Sequence, residues 1–235
     1  MTEAALYLIP VPLSDGSLER VLPAENLAVV RNLRHFVVEN VRTARRFLKK
    51  CDRDLDIDAL TFAELNEHTP AGEVEAMLRP LERGEAVGVL SEAGCPAVAD
   101  PGADLVAIAQ RKGLRVCPLV GPSSILLGLM ASGFNGQRFA FAGYLPIEAS
   151  ARAKKLKEME RRIAHDDETQ IFIETPYRNA SLLTHLLAVL PPAMHLCVAT
   201  DITGRNERII TRTIAQWKAK PIQLEKVPAI FLLYK

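Results

Sequence analysis

The sequence predicts an α/β protein made of two α/β domains, and three observations carry that prediction. Short apolar runs of strand length alternate with segments whose apolar residues recur at helical spacing. A loop bounded by glycine and proline, Ser-Glu-Ala-Gly-Cys-Pro-Ala-Val-Ala-Asp-Pro-Gly at 91–102, joins the strand-like run 86–90 to the helical run 103–112. After Pro118 the pattern restarts on a similar scale. The central loop is also the first candidate site, because open α/β sheets place ligands outside the carboxyl ends of their strands. Gly94 and Gly102 admit backbone angles closed to other residues, and Pro96 and Pro101 stiffen the path. Backbone amides left free in such a turn hold a carboxylate or another polar group.

Taken in order, the run 4–9 reads as a first strand closed by Pro10-Val11-Pro12, followed by a short helix at 18–22. Leu-Ala-Val-Val at 27–30 reads as a second strand, and Val37-Val38-Glu39-Asn40 leads into a basic helix at 42–50. A third strand is expected at 59–62 and a helix at 71–83, with Val74, Met77, Leu78 and Leu81 on one side. The strand 86–90, the central loop, the helix 103–112 and a strand at 114–117 complete a first domain, 1–117. Such alternation implies a mostly parallel sheet covered on both faces. The second domain, 118–235, opens with Gly121-Pro122-Ser123-Ser124 before an apolar helix at 125–131. Strands are expected at 138–144, 169–173, 195–200, 208–213 and 229–234, with helices at 151–163, 179–190 and 214–218.

Composition narrows the function classes. The chain has 235 residues, 49% hydrophobic and 24% charged, which is ordinary for a globular protein with a sizeable core. A net charge of +1 excludes a global basic field, so any nucleic-acid contact must use a local patch. Cys51, Cys95, Cys117 and Cys197 are scattered without a Cys-x-x-Cys pair, which argues against a disulfide framework and a zinc site. No metal is expected. No apolar run approaches bilayer length and no signal-peptide pattern opens the chain, so a cytoplasmic location is expected.

Several short motifs, in order, are more specific than any one alone. They are Leu6-Tyr7-Leu8-Ile9-Pro10, Ser91-Glu92-Ala93-Gly94-Cys95-Pro96 with Asp100-Pro101-Gly102, Gly121-Pro122-Ser123-Ser124, Arg138-Phe139, Gly143-Tyr144-Leu145-Pro146 and Glu174-Thr175-Pro176-Tyr177-Arg178. Through them the chain resembles, almost end to end, the tetrapyrrole methylase superfamily of S-adenosylmethionine-dependent methyltransferases. Within it, the likeness is to bacterial enzymes that methylate a cytidine ribose 2′-hydroxyl in small-subunit ribosomal RNA. The resemblance implies a two-domain methyltransferase, usually a homodimer, with S-adenosylmethionine in the cleft between domains and S-adenosylhomocysteine as product. Position by position, it implies cofactor contacts at Pro12, at Ser91, Glu92, Ala93, Gly94, Cys95, Pro96 and Val98, at Ser123 and Ser124, at Glu174 and at Ile202, which has Thr200 and Asp201 beside it.

A methyl group on a sulfonium is already electrophilic, so alignment of donor and acceptor does most of the catalytic work. A ribose hydroxyl also gains from a proton acceptor, for which Glu39, Glu67, His68 and Glu92 are weak candidates near strand ends, each more readily read as a solvated or capping residue. The substrate-side loops depart from the RNA-methylating pattern. Glu39-Asn40-Val41-Arg42 retains the outer two residues of Glu-Asp-Thr-Arg, and Glu64-Leu65-Asn66-Glu67 retains Asn66 and Glu67. The first loop, 13–17, lacks the Gly-Asn-Leu found in those relatives.

Two basic stretches offer RNA contacts: Arg42, Arg45, Arg46, Lys49 and Lys50, then Arg152, Lys154, Lys155, Lys157, Arg161 and Arg162. Aromatic residues make up only 6% of the chain, so stacking on exposed rings is not an expected mode, and Trp217 reads as a packing residue. The favoured function is methylation of ribosomal RNA at a cytidine ribose of the small subunit. The alternatives are methylation of a small molecule such as a tetrapyrrole, and a non-catalytic cofactor-binding scaffold.

Overall fold

A computed structural model describes residues 3–66 and 68–235. The chain divides into two compact units, 1–123 and 124–235.

The first unit is a five-stranded sheet in the order β3-β2-β4-β1-β5, formed by β1 (Leu6–Ile9), β2 (His35–Val38), β3 (Thr61–Glu64), β4 (Val87–Leu90) and β5 (Val116–Pro118). All four pairings are parallel, with Gly88 of β4 level with Tyr7 and with Phe36. Side chains alternate between the faces as strand geometry requires. Tyr7, Ile9, Phe36 and Val38 enter one core with Phe47 and Leu48. Leu6, Val37, Val87 and Val89 enter the other with Leu78 and Leu105. The covering helices are α1 (Ala24–Asn32), α2 (Val41–Cys51) and α5 (Ala103–Arg111), with the helical turns α3 (Ala71–Val74) and α4 (Arg79–Glu82) between β3 and β4.

Two expectations fail here. Residues 27–30 are not a strand but the middle of α1. A run of four apolar residues suits either period, and packing decides it: the buried side chains are Asn26 and Val30, one helical turn apart. The Asn26 amide donates to the Val120 carbonyl at 2.8 Å, which fixes that face inward. The second strand is instead β2. The segment 71–83 is not one helix, because a 3-10 segment, Glu75–Leu78, separates α3 from α4. Pro80 has no N–H for the Ala76 carbonyl, so the tighter turn precedes it.

The second unit is also five-stranded, in the order β6-β7-β10-β8-β9. Its strands are β6 (Phe139–Tyr144), β7 (Thr169–Glu174), β8 (His195–Thr200), β9 (Arg208–Thr213) and β10 (Ala229–Tyr234). Only β6 and β7 run parallel; β10 is antiparallel to β7 and β8, and β9 to β8. The all-parallel arrangement therefore stops at the first unit. The connection 201–207 is too short for a crossover and can close only a hairpin. Helices α7 (Ala149–Asp166), α8 (Asn179–Val189) and α9 (Ile214–Ala219) cover one face, and Leu156, Met159, Leu186 and Trp217 pack there with Phe172, Val198 and Phe231. The apolar helix α6 (Ser124–Ser132) covers the other, with Gly128 allowing close approach to Ile230. Trp217 is fully buried and donates to the Leu196 carbonyl at 2.9 Å, the packing role expected for it.

Candidate functional site

In the first unit the parallel strands all end on one edge, and the candidate donor contacts of that unit follow the ends of β1, β4 and β5. The central loop follows β4 and is bent by four left-handed residues: Gly94 (φ 79°), Ala97 (φ 65°), Ala99 (φ 62°) and Gly102 (φ 122°). Two of these are alanines, which resist that conformation by about 1–2 kcal/mol each, and such strain collects at functional sites. Three interactions hold the shape. Gly94 and Val11 exchange backbone hydrogen bonds of 2.8 and 2.9 Å, pinning the first loop and Pro12 beside the central loop. The Val98 N–H donates to the Cys95 carbonyl at 3.3 Å. The Cys95 thiol donates to the Pro122 carbonyl at 3.5 Å, drawing in the stretch that ends at Ser123. Gly121 passes so close to Pro10 that a Cβ there would stand 2.2 Å from the proline ring.

Along this loop Ser91, Gly94 and Pro96 are buried, Cys95 is half-buried, and Glu92, Ala93 and Val98 face solvent. Small side chains at Ala93, Gly94, Cys95, Ala97 and Ala99 leave the backbone approachable from outside. Backbone amides and carbonyls in such a loop are the partners that the charged groups of an amino acid need.

Glu39 and Glu92 lie around the same edge. Glu39 follows β2 and lines a crevice with Leu65, Leu90, Ser91 and Pro101. The Glu92 carboxylate accepts a 2.5 Å hydrogen bond from the Thr43 hydroxyl in the first turn of α2. Glu67 lies outside the described residues. His68 is exposed, and its backbone N–H donates to the Asn66 side chain at 3.0 Å. One group escaped the sequence reading. Burial pushes the Asp100 carboxyl up, against a pull from the Ser91 hydroxyl and with a further push from the Glu92 charge. Its only signal was the Asp-Pro-Gly that ends the loop.

The remaining candidates belong to the second unit. Ser124 opens α6. Glu174 ends β7, is 8% exposed, and accepts from the Thr175 N–H at 2.7 Å and from Arg178 Nε and Nη2 at 2.9 and 2.7 Å. Ile202 is buried in the loop 201–207, where Asp201 and Thr203 both take positive φ. Ala229 of β10 pairs with both Glu174 and Thr200, so the ends of β7 and β8 share one edge.

The basic stretches divide between the units, α2 in the first and α7 in the second. Arg42, Arg46, Lys49 and Lys154 are exposed. Arg45 is exposed too, but it pairs with Asp58 at 2.5 Å and lies over the Phe62 ring at 5.9 Å. Lys49 donates to the Arg53 carbonyl at 2.9 Å, and Lys155 pairs with Glu158 at 3.1 Å. Among the described residues no cluster could hold a metal ion, and no helix is long and apolar enough to cross a membrane.

Comparison with known proteins gives these features a family. The model for tetrapyrrole (corrin/porphyrin) methylases matches residues 5–218. The chain belongs to the tetrapyrrole methylase family. It is a methyltransferase with S-adenosylmethionine as the methyl donor. It is 30% identical over 232 residues to ribosomal RNA small subunit methyltransferase I of Vibrio cholerae, covering 97% of this chain and 76% of that one. The corresponding protein of Xylella fastidiosa is 31% identical over 214 residues, covering 91% and 74%. Among solved structures, the methyltransferase CobJ aligns with a TM-score of 0.63 at 16% identity, covering 98% of this chain and 99% of that one. Uroporphyrin-III C-methyl transferase from Thermus thermophilus, complexed with S-adenyl homocysteine, aligns at 0.59 and 16%, covering 98% and 97%. These structures carry the fold, an α/β architecture of the tetrapyrrole methylase type.

Proposed function

We propose that this methyltransferase modifies small-subunit ribosomal RNA, at the ribose 2′-oxygen of a cytidine, and that it works as a homodimer. The observation that carries the reading is the match over 97% of the chain to a relative named for that RNA. In this reading the donor lies along Ser91, Glu92, Ala93, Gly94, Cys95 and Pro96, where Gly94, bonded to Val11, shapes the bend, with Val98, Pro12 and Ser123 beside it. Ser124, Glu174 and Ile202 are proposed as further donor contacts.

S-adenosylmethionine supplies, when bound, a methyl group already activated on sulfur. The chain's share of the work is orientation, for which a loop braced to Val11 and Pro122 is suited. The hydroxyl that gains the methyl must lose its proton, and Glu39, Glu92 and Asp100 are the carboxyls at the right edge. A carboxyl raised by burial, as Asp100 is, takes up a proton more readily than an exposed one. The exposed cations Arg42, Arg46, Lys49 and Lys154 would meet backbone phosphates.

The test is transfer of a labelled methyl group to small ribosomal subunits from a strain lacking the gene, with the label mapped to a nucleoside. Label on a cytidine ribose is the expected result. A second reading, methylation of a small acceptor such as a tetrapyrrole, draws on the altered loops at 13–17 and 39–42. Label in a small molecule and none in RNA would replace the first reading with the second.

A further inference from the structure

The carboxyl end of the β6–β7 pair carries two exposed tyrosines that no donor contact uses. Tyr144 closes β6, level with Ile173 of β7, so the two parallel strands release their chains at one edge. Tyr144 is 56% exposed, and Tyr177, just beyond β7, is 82% exposed. The chain has four tyrosines, and the other two are structural. Tyr7 is buried in the first sheet, and the Tyr234 hydroxyl donates to Asp167 at 2.6 Å. Large rings ordinarily bury most of their surface or mark a binding surface, and these two share one edge.

Cations attend both rings. Lys226 Nζ lies 5.8 Å from the centre of the Tyr177 ring. The Arg178 guanidinium, anchored on Glu174, is within electrostatic reach of the Tyr144 phenol. The Tyr144 side is also braced: Leu145 is buried, and Arg152 Nη1 donates to the Ile147 carbonyl at 3.0 Å. The backbone beside Tyr144 is therefore held before any ligand arrives, which limits the ordering lost there on binding.

We propose that Tyr144 and Tyr177 form a stacking platform for unpaired bases of the RNA substrate, an inference that rests on the RNA reading above. Flat rings beside cations suit a base and its phosphate, and bases already stacked in a duplex offer no free face. The platform therefore selects single-stranded or bulged RNA. Because Glu174 offsets the charge of Arg178, the rings supply the discrimination and Lys226 the phosphate contact.

The test measures binding of a labelled single-stranded oligoribonucleotide, and of its duplex, to the full chain and to Tyr177→Ala, Tyr177→Phe and Tyr144→Ala. Calorimetry with S-adenosylmethionine and sedimentation accompany each variant. Tyr177→Ala should weaken single-strand binding roughly tenfold and Tyr177→Phe by less than about twofold, since the π face survives in the second. Tyr144→Ala should weaken single-strand binding in the same direction. Duplex binding, donor affinity and oligomeric state should not change. Unaltered single-strand binding by Tyr177→Ala and Tyr144→Ala, with the wild type binding, defeats the platform alone. A parallel loss of donor affinity would assign the ring to the cofactor, and a change of oligomeric state would assign it to self-association; either overturns the proposal. A wild-type protein that neither binds nor labels RNA defeats the functional reading itself.

Discussion

Gly94→Ala tests whether the left-handed bend of the central loop holds the donor. Gly94 has φ 79°, and its N–H and carbonyl are both committed to Val11. An added Cβ would stand 3.3 Å from Leu13 Cδ2 and 3.7 Å from the Pro122 carbonyl, tight but short of a collision. The cost is therefore mainly conformational, about 1–2 kcal/mol for a side chain held in the left-handed region. Gly94→Val adds a branched side chain and should cost about 3 kcal/mol, the upper end for such strain. Against a domain stability of about 5–15 kcal/mol both variants should fold. The expected failure is in binding, because relaxing φ at 94 breaks the bridge to Val11 and moves the amides that follow. Urea unfolding reports the first quantity and calorimetry with S-adenosylmethionine the second. Gly84→Ala is the control, since Gly84 also has positive φ (85°) with open space around it, and it precedes β4 where the central loop follows. It should lose similar stability and keep donor affinity. Gly94 variants that lose stability yet bind the donor as tightly as Gly84→Ala would refute the assignment of the loop.

Three other outcomes are expected. Trp217→Phe removes the buried hydrogen bond to Leu196 and part of a ring in the second core, at a cost of about 2–3 kcal/mol read from the thermal midpoint. The Glu148 carboxyl, capping α7, is held down to about 2 by the Ser150 hydroxyl and then by the Ser150 and Ala151 amides. A depressed carboxyl stabilises the fold above its unfolded value near 4.5 and loses that contribution as pH falls towards 2. Glu148→Gln should then be less stable than wild type at pH 6 and indistinguishable from it near pH 2; a gap that persisted in acid would remove the charge from the explanation. Arg42→Ala with Arg46→Ala should flatten the salt dependence of RNA binding by about 1–2 in log–log slope, and an unchanged slope would place the phosphates elsewhere.

Much of the candidate site was legible because its signals are local. Glycine and proline spacing marked the central loop, and the order of short motifs marked the family before any coordinates. Local signals were also enough for most strands, since β1, β4 and all five strands from β6 to β10 fall where strands are expected. Residues 27–30 were misread for the same reason: four apolar residues fit two periods, and only contact with Val120, far along the chain, selects the helix.

The sequence by itself determined the alternating architecture, the family and the central loop proposed to hold the donor, because periodicity, turn chemistry and motif order are written in neighbouring residues. Tertiary structure alone decided that Ala97 and Ala99 accept left-handed backbone, since a strained conformation persists only when bridges such as Val11–Gly94 and Cys95–Pro122 overdetermine it. It decided that β10 enters antiparallel between β7 and β8, a pairing of segments dozens of residues apart. It also set the exposed Arg45 against Asp58 and left Tyr144 and Tyr177 in solvent. Exposure is a property of everything that packs around a residue, and a linear chain does not contain it.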